Sequence, residues 1–299
     1  MNPTLVKSLF KLLLHALFHQ SPHLKIAILA LGGLVLLLGY GYEVFYARPK
    51  ATYQGIPQTQ GWAPTRWTRV LRNEGFMLGY AEGHASPLWV TYHLTTKPEN
   101  KSAPPRPSHF TQDWRVLRST HSDDYTGSGY DRGHLAPNYA IAVLYGREAQ
   151  LDTFAMTNIV PQKPKLNRKL WQRLEEVEIN HFSQWFKSVW VFTGPIYGEK
   201  PERLPKNSAI PIPEALYKIY LQPASDPTQA PKALAFIMPQ SVQGQESLLR
   251  FVTTIDAIEQ KTGLDFLPDL ATAIEQEVES TQNPAAWRLA EVAQLPSRY

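Results

Sequence analysis

An uncharged apolar run restricts what this 299-residue chain can fold into more than any other feature. Residues 26–42 carry no charged side chain, and only Glu43 interrupts the run before residue 46. Its length approaches the roughly 20 residues that a helix needs to cross a bilayer, and Lys25, Arg48 and Lys50 flank it. We therefore predict a transmembrane anchor over 26–46. A cleavable signal segment is the alternative, although the run begins late in the chain for that role.

The sequence on either side of the apolar run predicts the remaining organisation. Residues 1–25 place lysines among leucines and phenylalanines, which is typical of an amphipathic segment on a membrane surface. Residues 47–64 contain Gly, Pro and Gln and are interpreted as a linker. A globular domain is expected over 65–299. The distribution of basic residues favours a cytoplasmic N-terminus. We therefore expect an anchor in a bacterial inner membrane with this domain in the periplasm or exterior. Cleavage of the segment would instead make the protein secreted.

Composition limits the chemistry of the globular part. Hydrophobic residues make up 43% of the chain, which permits a packed core, and cysteine is absent. Thiolate metal sites, disulfides and a cysteine nucleophile are thereby excluded. Any metal must be bound by oxygen or imidazole, which favours Mg²⁺ or Mn²⁺, or zinc on histidines. The net charge of +4 suits a polyanionic partner without identifying one.

Local patterns mix strands with helices. Three aromatic and β-branched runs predict strands: 88–94, 188–192 and 233–238. Residues 167–187 and 269–279 have helical spacing. Because no βαβ rhythm is visible, we predict an α+β domain. The tryptophans, Trp114 among them, are expected in the core.

A glycine-containing segment from Tyr125 to Asn138 includes Asp131-Arg132-Gly133-His134. The glycines permit tight backbone geometry, and Asp131 and Arg132 can hold a turn through charge-assisted hydrogen bonds. A histidine with a pKa near neutrality can deprotonate water. Taken alone, the string fits a structural turn with an incidental histidine equally well.

A second polar group follows on a predicted helix. Asn167, Trp171 and Glu175 lie at i, i+4 and i+8 and are expected on one helix face. An amide oxygen and a carboxylate there could bind a hydrated Mg²⁺ ion. The alternative is a capping asparagine followed by a solvated acidic helix.

Taken together, the two segments resemble the DNA/RNA non-specific endonucleases of the ββα-metal superfamily, which include secreted bacterial and mitochondrial nucleases. His134 precedes Asn167 by 33 residues. The resemblance extends over most of the globular part through three further stretches: 192–197, 212–218 and 254–266. It implies an α+β fold: a ββα-metal nuclease domain with a central mixed or antiparallel sheet flanked by helices, preceded here by one N-terminal transmembrane helix.

The resemblance implies a role for each matching position. His134 would be the general base that activates the attacking water. Asn167 would be the direct protein ligand of a single Mg²⁺ ion, or of Mn²⁺, and Glu175 would order its water shell. Asp131 would brace the motif, and two residues would support the site: Asn158 and Gln162.

Arginines would contact the substrate phosphate. Arg106 matches the arginine that the family places near the scissile phosphate, the alternative being a surface arginine in a proline-rich loop. Arg132 would contact substrate or shape the site. Some family members carry a further arginine where this chain has Ile179, so more of the phosphate stabilisation would rest on Arg106, Arg132 or Arg173.

The sequence thus predicts a metal-dependent, sequence-non-specific endonuclease that binds DNA and RNA through their phosphates. Its N-terminal helix would bind the membrane. Two other interpretations stay open: a catalytically inactive module that tethers nucleic acid at the membrane, and an interaction protein with no metal dependence. A homodimer and an inhibitor protein are further partners that the sequence leaves open.

Overall fold

The computed structural model describes residues 8, 22–99, 101–226 and 229–298. The chain divides into two compact units, Met1–Lys50 and Ala51–Tyr299. Most of the predicted amphipathic segment 1–25 lies outside the described residues. In the first unit, helix α1 (Pro22–Tyr42) contains no buried residue and continues into a π-helical turn, Glu43–Ala47. The helical stretch from Pro22 is long and apolar enough to cross a membrane, with a mean hydropathy of 2.0, and a signal segment has the same properties.

The second unit is built on an antiparallel sheet. Its strands in chain order are β1 (Gln58–Thr59), β2 (Thr68–Arg72), β3 (Phe76–Ala81), β4 (Ser86–Thr95), β5 (Asp131–His134), β6 (Ile159–Gln162), β7 (Ser188–Ile196), β8 (Arg203–Leu204), β9 (Asn207–Pro211), β10 (Ala215–Gln222), β11 (Lys232–Pro239), β12 (Val252–Thr253) and β13 (Leu264–Asp265). Seven of them form the central sheet in the order β12-β11-β10-β7-β4-β3-β2. The predicted strands are confirmed within β4, β7 and β11.

The helices of this unit are α2 (Asn138–Tyr145), α3 (Arg147–Thr153), α4 (Gln172–Val177), α5 (Ser183–Phe186), α6 (Ile255–Thr262), α7 (Thr272–Ser280) and α8 (Leu289–Val292). The π-helical turn Leu166–Trp171 leads into α4, and a second π-helical turn, Glu178–Phe182, joins α4 to α5. Residues 166–186 are thus one helical stretch. Strands β5 and β6 form an antiparallel pair, although α2 and α3 lie between them in sequence. We call this pair the β5–β6 hairpin. It precedes the helical stretch, and the two together form a ββα unit.

The sheet separates two apolar clusters because successive side chains of a strand point to opposite faces. Leu78 and Tyr80 contact the cluster that includes residues of the ββα unit. Met77 and Ala81 contact the other cluster, which α6 and α7 cover. The ββα unit and the α6–α7 layer therefore lie on opposite faces of the sheet, and the predicted α+β class is confirmed.

Residues 51–64, which the composition predicts to be a linker, are packed into the second unit. Thr52 is buried, and Tyr53 and Ile56 lie against the cluster beneath α6 and α7. Strand β1 pairs with β13, joining Gln58 to Asp265. Apolar side chains and a strand partner from the C-terminal region order this stretch despite its turn-forming composition.

Candidate active site

The hairpin β5–β6 holds the Asp131–His134 motif. Asp131 is paired with Gln162, and His134 with Ile159. A Cβ atom at Gly133 would lie 2.1 Å from Cδ of Gln162. Only glycine at position 133 therefore leaves room for the Gln162 side chain to lie across β5. Gln162 is fully buried, and its amide has no hydrogen-bond partner among the described residues. Gln162 thus brings a buried polar group next to the motif.

The His134 imidazole lies in an apolar setting at the edge of a cleft. Its ring centroid is 5.6 Å from that of Phe110 and 4.9 Å from that of Phe154. Burial lowers the pKa of His134 to about 3, and the nearby charge of Arg106 acts in the same direction. The imidazole is therefore neutral at physiological pH and can accept a proton. Its Nε2 atom has no hydrogen-bond partner in the described part of the chain.

Asn158 fixes the turn that follows His134. Its side-chain oxygen accepts a hydrogen bond from the Ala136 backbone N–H at 2.9 Å, and its Nδ2 donates to the carbonyl oxygens of Ala136 and Thr153, both at 3.0 Å. The side chain is fully buried. A buried amide that forms three hydrogen bonds to the backbone resists movement. Asn158 therefore fixes the backbone at Ala136 and at Thr153.

Asp131 connects the hairpin to the start of helix 166–186. Its carboxylate accepts hydrogen bonds from Arg168 at 2.8 and 2.6 Å and from Nδ2 of Asn167 at 3.0 Å. Burial alone would raise the pKa of Asp131, but these bonds and the Arg168 charge outweigh it and hold the pKa below its ordinary value. Because Nδ2 is engaged, the Asn167 amide is oriented, and no described residue donates to its oxygen. That oxygen is available to a cation.

The helix brings Asn167 and Glu175 to the same cleft. Burial raises the pKa of Glu175 to about 8, and Glu178 adds to this effect, while the Lys218 ammonium opposes it. Trp171 lies between them in sequence and is buried, as predicted for the tryptophans, with the Lys218 nitrogen 4.6 Å from its ring centroid. The turn that contains it, Leu166–Trp171, is π-helical.

The predicted arginines differ in their surroundings. Arg106 is exposed on the cleft, with its guanidinium carbon 5.1 Å from the Phe154 ring centroid. Arg132 also lines the cleft, but it donates to the Ser122 carbonyl oxygen at 2.9 and 2.6 Å. Arg173 is buried and donates to backbone carbonyls, and it is not among the residues that line the cleft. Arg106 is thus the predicted phosphate ligand whose guanidinium is free of hydrogen bonds within the described residues.

The cleft has a volume of about 260 Å³. Sequence reasoning gave no role to several residues that line it: Asn138, Arg168, Gln172, Glu176 and Arg298. Asn138 stands at the end of the histidine segment, so its position could have been noticed, and its Oδ1 is buried without a hydrogen-bond partner in the described chain. Arg298 donates its backbone N–H to Gln172 and pairs with Glu176. No sequence signal predicts that contact across 122 positions.

Several known proteins resemble this chain in sequence. Residues 61–273 match the family model described as DNA/RNA non-specific endonuclease. The mitochondrial nuclease EXOG of Danio rerio is 31% identical over 65% of this chain and 59% of its own length. Human mitochondrial endonuclease G is 29% identical over 66% of this chain and 69% of its own. The chain therefore spans about three fifths of the EXOG relative.

A solved structure shares the fold. The crystal structure of the EndoG/EndoGI complex, which concerns EndoG inhibition, contains a chain that superposes with a TM-score of 0.60. The superposition covers 74% of this chain and 90% of that chain, at 22% sequence identity. The solved chain thus shares the central antiparallel sheet and its flanking helices.

Proposed function

This chain belongs to the DNA/RNA non-specific endonuclease family, whose model covers residues 61–273, and from this premise we propose that it hydrolyses phosphodiester bonds of DNA and RNA with the help of a divalent metal ion. The observation that carries the proposal is the meeting of three groups in one cleft. His134 contributes a neutral, buried imidazole, and Asn167 an oriented amide oxygen. Arg106 contributes a guanidinium that forms no hydrogen bond with a described residue.

His134 is proposed as the general base. The imidazole is unprotonated at neutral pH and its Nε2 atom has no hydrogen-bond partner among the described residues, so it can take a proton from water that attacks phosphorus. The negative charge of a bound phosphate would raise the low pKa of the imidazole and so strengthen it as a base. Phe110 and Phe154 contact the ring and make its surroundings apolar. Asn158 acts as a positioning residue because it holds the turn after His134. A positioned base of this kind accelerates hydrolysis by about 10²–10⁴-fold.

Asn167 is proposed to bind the metal ion directly, and Glu175 to order its water shell. The donor set fits Mg²⁺ or Mn²⁺, because both offer hard oxygen ligands and the Asn167 oxygen receives no hydrogen bond from a described residue. The unpartnered Oδ1 of Asn138 adds a further oxygen in the same cleft. When bound, such an ion neutralises phosphate charge and stabilises the leaving oxygen. Asp131 orients Asn167, and Gln162 supports the hairpin beside it.

Arg106 is proposed to bind the phosphate next to the bond that is cut. Its guanidinium faces the cleft and can donate two parallel hydrogen bonds to phosphate oxygens. Arg132 supports the loop at Ser122 and adds positive charge at the cleft. Contacts of this kind read the backbone and not the bases, which favours cleavage of both DNA and RNA.

The full chain in mild detergent tests this proposal. Covalently closed plasmid DNA and circular RNA are incubated with Mg²⁺, with Mn²⁺ or with EDTA, and the products are resolved on gels. We expect both circles to be opened with either metal and to stay intact in EDTA. Binding of nucleic acid without cleavage under all metal conditions would instead support the tethering module, and neither binding nor cleavage would favour an interaction protein.

The metal requirement should depend on pH through Glu175. Without metal, the carboxyl is protonated below its raised pKa of about 8, so an ion must displace a proton to bind. From pH 6 to 8, we expect the Mg²⁺ concentration that half-saturates cleavage to fall about tenfold per pH unit and then to level off. His134 adds no slope, because it is neutral throughout this range. A half-saturating concentration that stays constant from pH 6 to 8 would contradict the role of Glu175.

We also propose that α1 anchors the chain in a membrane. In a bacterium this would be the inner membrane, with the nuclease unit on its periplasmic side. Support comes from the hydropathy of the helical stretch and from the basic residues before and after it. Alkaline carbonate extraction of membranes tests this. The anchored full-length protein stays in the pellet, whereas a shortened protein in the soluble fraction would indicate cleavage.

A further inference from the structure

A group of carboxylates lies in the α6–α7 layer, on the face of the sheet opposite the ββα unit. It is formed by residues of α6, β13 and α7: Asp256, Glu259, Asp265, Glu275 and Glu279. In each of two triplets, one oxygen per residue lies within 4.8 Å of the other two, and Glu279 belongs to both triplets. The apolar neighbours Ile258, Phe266 and Val278 belong to the second core cluster, so these acids stand at the edge of a packed core.

Two of these carboxylates have buried oxygens without a donor. Glu279 is only 6% exposed, and its Oε1 has no hydrogen-bond partner among the described residues. Asp265 is half-buried, and its Oδ1 atom is likewise buried without a hydrogen-bond partner among the described residues. By contrast, Glu259 accepts a hydrogen bond from the Phe266 backbone N–H at 2.8 Å. No Lys or Arg in the described parts of the chain forms an ion pair with any of the five acids.

This arrangement places the carboxyl groups of Glu259 and Glu279, which are both buried, next to other acids. Glu275 and Glu279 are four residues apart on α7, where like charges destabilise a helix. Burial and the neighbouring carboxylates raise the pKa of Glu279 to about 8. A buried carboxylate needs either a proton or a cation to offset its lost hydration.

The ligand chemistry favours a calcium ion. Ca²⁺ takes about six to eight oxygen ligands, carboxylates among them, in a flexible geometry. Mg²⁺ keeps several waters and is usually bound through one or two carboxylates. Three carboxylates from β13 and α7 whose oxygens lie close together therefore fit Ca²⁺ better than Mg²⁺.

We propose that Asp265, Glu275 and Glu279 form a structural Ca²⁺ site, separate from the cleft that contains His134. The unpartnered oxygens of Asp265 and Glu279 single out this triplet over the one that contains Glu259. The ion would join β13 to α7. Because β13 also pairs with β1, it would fix residues 58–59 as well. Its role is stability of the second unit and not the cleavage step.

Calcium binding by the full chain tests the site. The protein carries Asn167→Ala so that the cleft does not contribute, and it is purified in detergent and freed of metal with a chelator. Isothermal titration should show one Ca²⁺ bound per chain. At a hundredfold excess over Kd, Ca²⁺ should raise Tm by about 5–10 °C. Both effects should be lost in the Glu279→Gln variant and kept in Glu277→Gln, an exposed glutamate of the same helix.

A second variant keeps the test decisive if Glu279→Gln does not fold. Asp265→Asn removes the other unpartnered oxygen with no change in size, and it should weaken Ca²⁺ binding at least about tenfold. The absence of any Ca²⁺ binding by the parent protein would overturn the proposal and would indicate that protons neutralise the cluster. Unchanged binding by both Glu279→Gln and Asp265→Asn would also overturn it.

Discussion

The His134→Ala variant should cleave plasmid DNA about 10³-fold more slowly than the parent chain, with little change in DNA affinity. His134 supplies the proton acceptor, and general-base catalysis contributes about 10²–10⁴ in rate. Its imidazole is neutral because burial lowers its pKa to about 3. Initial rates of plasmid nicking in Mg²⁺ measure the loss, and a gel-shift titration in EDTA measures binding.

His109→Ala is the matched control, because His109 is exposed in the loop that carries Arg106 and is not among the residues that line the cleft. We expect its rate to stay within about twofold of the parent. Equal losses of rate and affinity in His134→Ala would count against a role as base and would indicate a role in substrate binding. An unchanged Tm shows that the fold is retained.

The Lys218→Met variant should lose about 3–5 kcal/mol of unfolding free energy, because it leaves an unpaired charge in the core. Lys218 and Glu178 are both fully buried, with the ammonium nitrogen 3.0 Å from the carboxylate. Tyr92 and Tyr220 donate to the same carboxylate at 2.9 and 2.7 Å. This network joins β4 and β10 to the helix that carries Glu175. Urea unfolding followed by circular dichroism measures the loss.

A double variant separates the ion pair from packing. Glu178→Gln combined with Lys218→Met removes both charges, so it should unfold at a higher urea concentration than Lys218→Met alone. Lys206→Met, at an exposed position, serves as the control and should change stability by less than about 0.5 kcal/mol. A loss of unfolding free energy under about 1 kcal/mol in Lys218→Met would show that the buried pair does not stabilise this region. A double variant less stable than Lys218→Met would show the same.

Much of the fold and the site follows from local sequence patterns. Strand β4 has aromatic and β-branched residues in a buried run, and the helix at 166–186 has apolar residues at helical spacing, so both are predictable. The Asp131–His134 motif and Asn167 are predictable because their spacing in sequence is characteristic. Asn158 and Gln162 come shortly before Asn167 in sequence, and both are buried.

What escaped prediction depends on contacts between distant residues. Lys218 stands in an apolar strand, and only the fold shows that Glu178 neutralises it there. Trp114, expected in the core, is 91% exposed, because hydrophobicity of a single side chain does not fix which way a loop turns. The π-helical turn at Leu166–Trp171 and the contact of Arg298 with Glu176 likewise depend on tertiary packing.

The Mg²⁺ dependence of cleavage by the full chain and its Asn167→Ala variant tests the central claim most directly. The proposed site predicts that the parent chain is inactive in EDTA, recovers with added Mg²⁺, and loses at least about 100-fold in activity at equal Mg²⁺ when Asn167 is replaced. Asn283→Ala, at an exposed asparagine, should behave like the parent. Cleavage by the parent in EDTA, or identical Mg²⁺ curves for the parent and Asn167→Ala, would contradict a metal-dependent site at Asn167.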